Sequence, residues 1–144
     1  MMKKLLILMS MCFVLVAETE FAEPKPSMFE QRKILFSINS ADDKRIHALL
    51  STANNVLKFY GVENVHMRVV AYADGMKMLL EKNKDIALRV KALSLLNVEF
   101  VACGNTMRTK HIKEEDLIED TDIVTAGVAE LVERSVDGWT HIAP

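Results

Sequence analysis

The sequence has few of the residues that organise common catalytic sites. Its 144 residues include 2 cysteines, 4 histidines and 5 glycines. Neither a Cys-x-x-Cys pair nor a His-x-x-x-His pair occurs, which argues against a dithiol redox centre and a zinc site. No glycine follows the first strand-like run, where a dinucleotide or phosphate cradle needs one. These absences leave a single-residue chemistry or a binding role.

Charge of one sign is also lacking. The 18 basic and 20 acidic residues give a net charge of -2, and no block of Lys or Arg is large enough to form a basic face. We therefore expect neither a nucleic-acid partner nor an anionic membrane surface as partner. Beyond the N-terminus the chain has no second long apolar run.

The N-terminus is typical of a secretory signal. Lys3 and Lys4 precede an apolar run from Leu5 to Ala17, which is shorter than the about 20 apolar residues that span a bilayer. We predict a signal over residues 1–22 that contains Cys12. The cleavage position is ambiguous, because neither Ala22 nor Ala17 has a small residue two positions before it, and an uncleaved anchor is the alternative.

Export predicts a periplasmic location, with no membrane attachment once the signal is cleaved. Pro24 and Pro26 lie in a short tether over residues 23–32. The remaining residues, 33–144, suffice for one domain with a core and are too few for two. Because Cys12 would leave with the signal, Cys103 would be the only thiol of the mature protein.

Strand-like runs alternate with helical patterns along this domain. The apolar stripe from Ile46 to Tyr60 predicts a long helix, with Ser40 and Asp43 as a capping box before it. A later helix over residues 127–136 is predicted to turn Val128, Leu131 and Val132 inward. Such alternation favours an α/β fold whose mostly parallel sheet carries helices on both faces. The predicted strands are 33–39, 65–72, 98–102, 122–126 and 139–142.

Cys103 ends the third of these strands and precedes a Gly-Asn-Thr turn. Ligands of parallel sheets bind at the carboxyl ends of strands, so the thiol lies where chemistry is expected. Backbone N–H groups of the turn at Asn105 and Thr106, together with Arg108 just downstream, could stabilise a thiolate. The alternative is an inert cysteine that fills space at a strand end, in a protein whose role is that of a structural or oligomeric subunit.

A second interpretation of the same segment is a soft-metal site. Cys103, Met107 and His111 are spaced four and four, so a continuous helix would place all three on one face. Thiolate, thioether and imidazole are ligands that Cu(I) favours. The turn-like Gly104-Asn105 pair interrupts that register. A binding module without turnover, for a soft metal or a small ligand, therefore stays open as an alternative.

Three segments together resemble the exported single-domain branch of the DsrE/DsrF-like family. They are Glu99–Met107 with its Cys-Gly-Asn-Thr core, Ile123–Val132 with Ala-Gly-Val, and Gly138–Pro144 with Gly-Trp. The resemblance implies a flavodoxin-like three-layer sandwich of about five strands and a homo-oligomer. It also implies that Cys103 receives sulfane sulfur as a persulfide from a donor and passes it to an acceptor. It calls for no cofactor.

Overall fold

The computed structural model describes residues 17–144, and the apolar part of the predicted signal, with Cys12, lies outside them. Within the described residues, five strands form one sheet in the order β4-β3-β2-β1-β5. Every pair of neighbouring strands is parallel. The strands are β1 Arg32–Ile38, β2 Val65–Ala71, β3 Val98–Cys103, β4 Asp122–Val124 and β5 Thr140–Ile142. The α/β class expected from the alternating patterns is confirmed.

Helices connect the strands, as parallel pairing requires. The α-helices are α1 Asp43–Tyr60, α2 Lys84–Ser94, α3 Gly104–Lys110 and α4 Gly127–Val136. Short 3-10 helices span Val62–Asn64, Ala73–Leu79 and Glu114–Asp116. Helix α3 begins at Gly104, so the expected turn after Cys103 is instead the first turn of a helix.

The sheet is buried on both faces, which agrees with a three-layer arrangement. One face packs against α1 and α2 in a large cluster that includes Phe36, Met67 and Phe100. Five apolar residues of α1 are buried, and burying each large one stabilises the fold by about 1.5–3 kcal/mol. They are Ile46, Leu49, Leu50, Ala53 and Leu57.

The other face carries a smaller cluster beneath α4. It contains Leu35, Val70, Val101, Leu131 and Trp139, so the indole of Trp139 packs between the sheet and α4. Its indole Nε1 donates a hydrogen bond of 3.2 Å to Asp137.

The prediction that Val128 and Val132 point inward is wrong. Their exposed fractions are 56% and 53%, and of the three predicted inward residues only Leu131 is buried. Helix α4 instead turns Glu130 toward the sheet, where its carboxylate pairs with Arg68 of β2. The inward face of α4 thus carries a charged side chain, whereas the apolar pattern predicted valines on that face.

The capping box predicted at the start of α1 is also wrong in detail. Asp42, and not Ser40, is the N-cap, and its carboxylate accepts a 2.7 Å hydrogen bond from the N–H of Lys44. Ser40 acts one step earlier, because its hydroxyl oxygen accepts from the N–H of Asp42 at 3.2 Å. Gly61 is the C-cap of the helix, and its N–H donates to the carbonyl oxygen of Leu57.

Candidate functional site

Cys103 is the last residue of β3, at the carboxyl end of the sheet. Side chains alternate along a strand, so Cys103 faces the same side as Val101, toward α4. Its exposed fraction is 5%. The chain can turn directly into α3 because the next residue is glycine: a Cβ at Gly104 would lie 2.9 Å from the carbonyl oxygen of Val124. Gly104 therefore allows β4 to approach closely, rather than leaving room for a substrate.

The first residue of α4 closes over the thiol. The N–H of Gly127 donates a hydrogen bond to Sγ of Cys103 at an N···S distance of 3.2 Å. A Cβ on Gly127 would lie 3.1 Å from Cβ of Cys103 and 3.3 Å from side-chain atoms of Tyr72 and Val70. Glycine is thus the residue that lets the N-terminus of α4 reach the sulfur, and the positive end of the helix dipole favours a thiolate there.

Thr106 supplies a second donor from α3. Its hydroxyl oxygen accepts a 3.0 Å hydrogen bond from the N–H of Ala73, whose φ is 49°. The bond from Ala73 uses a lone pair of the Thr106 hydroxyl oxygen and not its proton. The hydroxyl can therefore still donate to another acceptor. A hydrogen bond from the Thr106 side chain to Cys103 is one of the interactions that favour the thiolate.

These donors outweigh the effect of burial on the thiol. Burial by itself raises the pKa of Cys103, because it disfavours the charged form. Hydrogen bonds from the Thr106 side chain, from the N–H of Gly127, and from the N–H groups of Thr106 and Asn105 act in the opposite direction. The net result is a pKa of Cys103 below its ordinary value, which increases the thiolate fraction at neutral pH.

The neighbours expected from the sequence divide into two groups. Thr106 and Asn105 lie close enough to act on the thiol, although the N–H of Asn105 also donates to the carbonyl of Thr125 at 3.0 Å. Arg108 instead donates to the side-chain oxygen of Asn105, and it is not among the leading causes of the lowered pKa of Cys103. The leading stabilisation of the thiolate therefore comes from N–H and O–H dipoles.

The structure separates the three residues of the soft-metal interpretation. Cys103 precedes α3 and faces α4, whereas Met107 packs in the large cluster on the opposite side of the sheet. His111 ends α3 in the left-handed conformation, with φ of 55°. They therefore do not share one face of a continuous helix. The soft-metal interpretation stays a prediction, although the continuous helix that it assumes from Cys103 to His111 is not observed.

Gly127 is the site residue that the sequence did not single out. It lies 24 positions beyond Cys103, and only the pairing of β3 with β4 brings the start of α4 to the thiol. A signal was present nonetheless. Parallel neighbours end at the same edge of a sheet, so the residues after β4 should approach the residue that ends β3.

Other groups lie away from this site. Glu99 of β3 binds both His66 and Arg68 of β2, and Arg68 also pairs with Glu130 in the first turn of α4. Over residues 17–144, no group of three or more His, Cys, Asp and Glu side chains is arranged to hold a metal ion. Nor does that part of the chain contain a helix long and apolar enough to cross a membrane.

Fold and site together define a small parallel α/β protein with a cradled thiol at a strand end. The chain belongs to the DsrE/DsrF-like family, since the sequence model of that family matches residues 32–144. At the level of the family, the resemblance seen in the sequence is therefore confirmed. A search of curated proteins finds no match.

Two solved structures are similar to this chain. Protein MTH1491 of unknown function from Methanobacterium thermoautotrophicum is 32% identical, with a TM-score of 0.75. The match covers 79% of this chain and 100% of that protein. The ychN protein from E. coli is 19% identical with a TM-score of 0.70, over the same shares of the two chains, and shows the shared fold.

Proposed function

We propose that the protein is a sulfur carrier in which Cys103 holds a persulfide. Membership of the DsrE/DsrF-like family supports a role related to sulfur relay. The observation that carries the proposal is the 3.2 Å hydrogen bond from the N–H of Gly127 to Sγ of Cys103 at the N-terminus of α4. Together with the neighbouring Thr106 and Asn105 it lowers the pKa of Cys103. Such donors favour the thiolate, which is the form that attacks sulfur.

The transfer has two steps without net oxidation. The Cys103 thiolate attacks the outer sulfur of a sulfane-sulfur donor, a new S–S bond forms on Sγ, and the donor's own S–S bond breaks with the electron pair leaving on the donor. An acceptor thiolate then attacks the outer sulfur, and Cys103 leaves as the thiolate. The cradle aids both steps, because it stabilises Cys103 as nucleophile and as leaving group.

Burial of Cys103 sets a condition on this chemistry. With 5% of the residue exposed, a donor cannot reach Sγ while Gly127 and Thr106 remain closed over it. The proposal therefore requires the start of α4 or of α3 to move aside during transfer. Local openings of this kind cost less than global unfolding.

Location and partners complete the proposal. The N-terminal signal pattern supports export to the periplasm, where the donor and acceptor would be a protein or a small thiol. The family resemblance supports a homo-oligomer. Sedimentation analysis of the exported protein checks the second point: a single species of monomer mass at micromolar concentration would contradict the oligomer.

Intact mass spectrometry tests the carrier function. The exported protein is incubated with a polysulfide donor and weighed, with Cys103→Ser as control. We expect a gain of one sulfur atom on the wild type alone, removed by a small thiol acceptor. An unchanged mass, together with a thiol that resists alkylation until the protein is unfolded, would contradict the proposal and indicate an inert buried cysteine.

Met107→Ala and His111→Ala separate the carrier from the soft-metal alternative. Neither side chain is among the leading causes of the lowered pKa of Cys103, so the sulfur gain should persist in both variants. Stoichiometric Cu(I) binding by the wild type that both substitutions abolish would favour the metal-binding module instead.

A further inference from the structure

A short segment before the tether packs against the domain. The ring of Phe21 lies against Phe59 and Tyr60 at the end of α1, with centroid separations of 5.3 and 5.7 Å. Phe59 and Tyr60 are themselves 4.9 Å apart in an edge-to-face arrangement. Aromatic rings at these separations attract one another. We name this group of three rings the aromatic clamp.

A hydrogen bond fixes the residue that follows. The carbonyl oxygen of Ala22 accepts from the guanidinium of Arg32, at a distance of 2.7 Å. Arg32 is the first residue of β1, so this contact ties the segment to the sheet, whereas Phe21 ties it to α1. Two independent contacts therefore attach residues 21–22 to the domain.

These contacts bear on where the export signal is removed. Cleavage after Ala22 would discard Phe21, expose more of the Phe59 ring, and free the guanidinium of Arg32. It would also make the charged Glu20 the third residue before the cleaved bond, a position where signal peptidases accept small uncharged side chains. Cleavage after Ala17 places Leu15 there, which is larger than these enzymes prefer but uncharged, and keeps the clamp intact.

We propose that the signal is cleaved at the Ala17–Glu18 bond, and that residues 18–22 remain in the mature protein with Phe21 as part of its fold. Hydrolysis adds water across that one peptide bond, leaving a carboxylate on Ala17 and an ammonium group on Glu18. The proposal rests on the proposed export and is independent of the sulfur chemistry at Cys103.

N-terminal sequencing of the full chain, expressed in a bacterium with a periplasm, tests the position. We expect the exported protein to begin at Glu18. A matched pair of variants sharpens the test: Ala17→Leu should cause the precursor to accumulate, whereas Ala22→Leu should be processed like the wild type. A mature chain that begins at Glu23, or one that retains Met1, would overturn the proposal.

Thermal unfolding of the exported protein tests the clamp separately. Phe21→Ala should lower Tm by a few degrees, because Phe59 and Tyr60 lose their contacts with the Phe21 ring. Phe29→Ala is the control, since its side chain is 88% exposed and its removal should leave Tm unchanged. Equal Tm values for wild type and Phe21→Ala would show that the segment adds nothing to the fold. Both readouts are independent of persulfide formation, so a failure here is distinguishable from a failure of the sulfur carrier.

Discussion

At the scale of single residues, the state of Cys103 depends on a competition between burial and hydrogen bonding. Burial raises the pKa of the thiol, and the donors at Thr106, Gly127 and Asn105 lower it further than burial raises it. Hydrogen bonds to charged groups contribute about 1.5–3 kcal/mol each. Several moderate donors can therefore together outweigh the unfavourable effect of burial on the thiolate. The reactivity of the thiol should therefore respond to each donor.

Replacing Thr106 by valine should raise the pKa of Cys103. Valine keeps the branched shape and removes the hydroxyl proton that stabilises the thiolate. The rate of alkylation by iodoacetamide, measured against pH, should show a higher midpoint and a lower rate at pH 7. Thr106→Ser keeps the hydroxyl and should behave like the wild type. An unchanged midpoint in Thr106→Val would mean that the hydroxyl does not act on the sulfur.

Gly127→Ala should both destabilise the protein and slow alkylation. The new methyl group would press on Cys103 and Val70, and overpacking of this kind costs about 1–3 kcal/mol. The gain in helix propensity, at most about 1 kcal/mol, does not offset it. Urea unfolding measures the first effect and iodoacetamide the second. Glu133→Ala, on an exposed position of α4, is the control, and equal stability of the two variants would contradict the prediction.

The candidate site was only half visible in the sequence. Cys103 and Thr106 are close along the chain, so local reasoning finds them together. Gly127 is distant in sequence and carries no side chain, and its role is a backbone N–H that any residue other than proline possesses. Arg108 attracted notice because cations stabilise thiolates, but its guanidinium is held by Asn105. Sequence spacing could not show that competing partner.

At the scale of secondary-structure elements, the start of α1 offers a direct comparison of two capping candidates. Asp42→Ala removes the acceptor of the Lys44 N–H and should cost about 1 kcal/mol of unfolding free energy. Ser40→Ala should cost less, because Ser40 binds only the N–H of Asp42, outside the helix. Urea unfolding of the two variants decides between them. A larger loss for Ser40→Ala would restore the capping box read from the sequence.

The helices and strands were predicted well where a simple periodicity governs them. The apolar stripe of α1 and the continuous apolar runs of β1 and β3 are unambiguous, since burial dictates them. The inward face of helix α4 was predicted only in part, since Leu131 is buried whereas Val128 and Val132 are exposed. Its sheet-facing residues include Gly127, Glu130 and Leu131. Because glycine and glutamate are not large apolar residues, this face does not form an apolar stripe in the sequence. The pairing of Glu130 with Arg68 of β2 is a tertiary fact that the helix sequence alone cannot show.

At the scale of the whole molecule, the ionic network that joins β2, β3 and α4 makes the stability of the fold depend on pH. Burial raises the pKa of Glu99, but hydrogen bonds from His66 and Arg68 lower it by more, so its pKa in the folded protein lies below the ordinary value. A carboxyl group with a lowered folded pKa stabilises the fold above its unfolded pKa of about 4.3. That stability is lost as the pH falls through the folded pKa.

Glu99→Gln should therefore destabilise the protein most at neutral pH. The difference in unfolding free energy from the wild type should be largest at pH 7 and shrink as the pH falls below about 4, where the wild-type carboxyl becomes protonated. Urea unfolding at a series of pH values measures it. Glu133→Gln, on an exposed position of α4, should show no such trend. A Glu99→Gln difference that is constant with pH would contradict the assignment of the stabilising charge to Glu99.

The position of β5 in the sheet determines when the domain can be completed during its synthesis. Leu35, near the beginning of the domain, pairs with His141 of β5, so one side of β1 stays unpaired until β5 has been made. The other pairings are also parallel, and each waits for its own crossover segment. Folding is therefore dominated by late, long-range contacts, which are slow to form. A nascent chain from which β5 has not yet emerged leaves that edge of β1 open and stays incompletely folded.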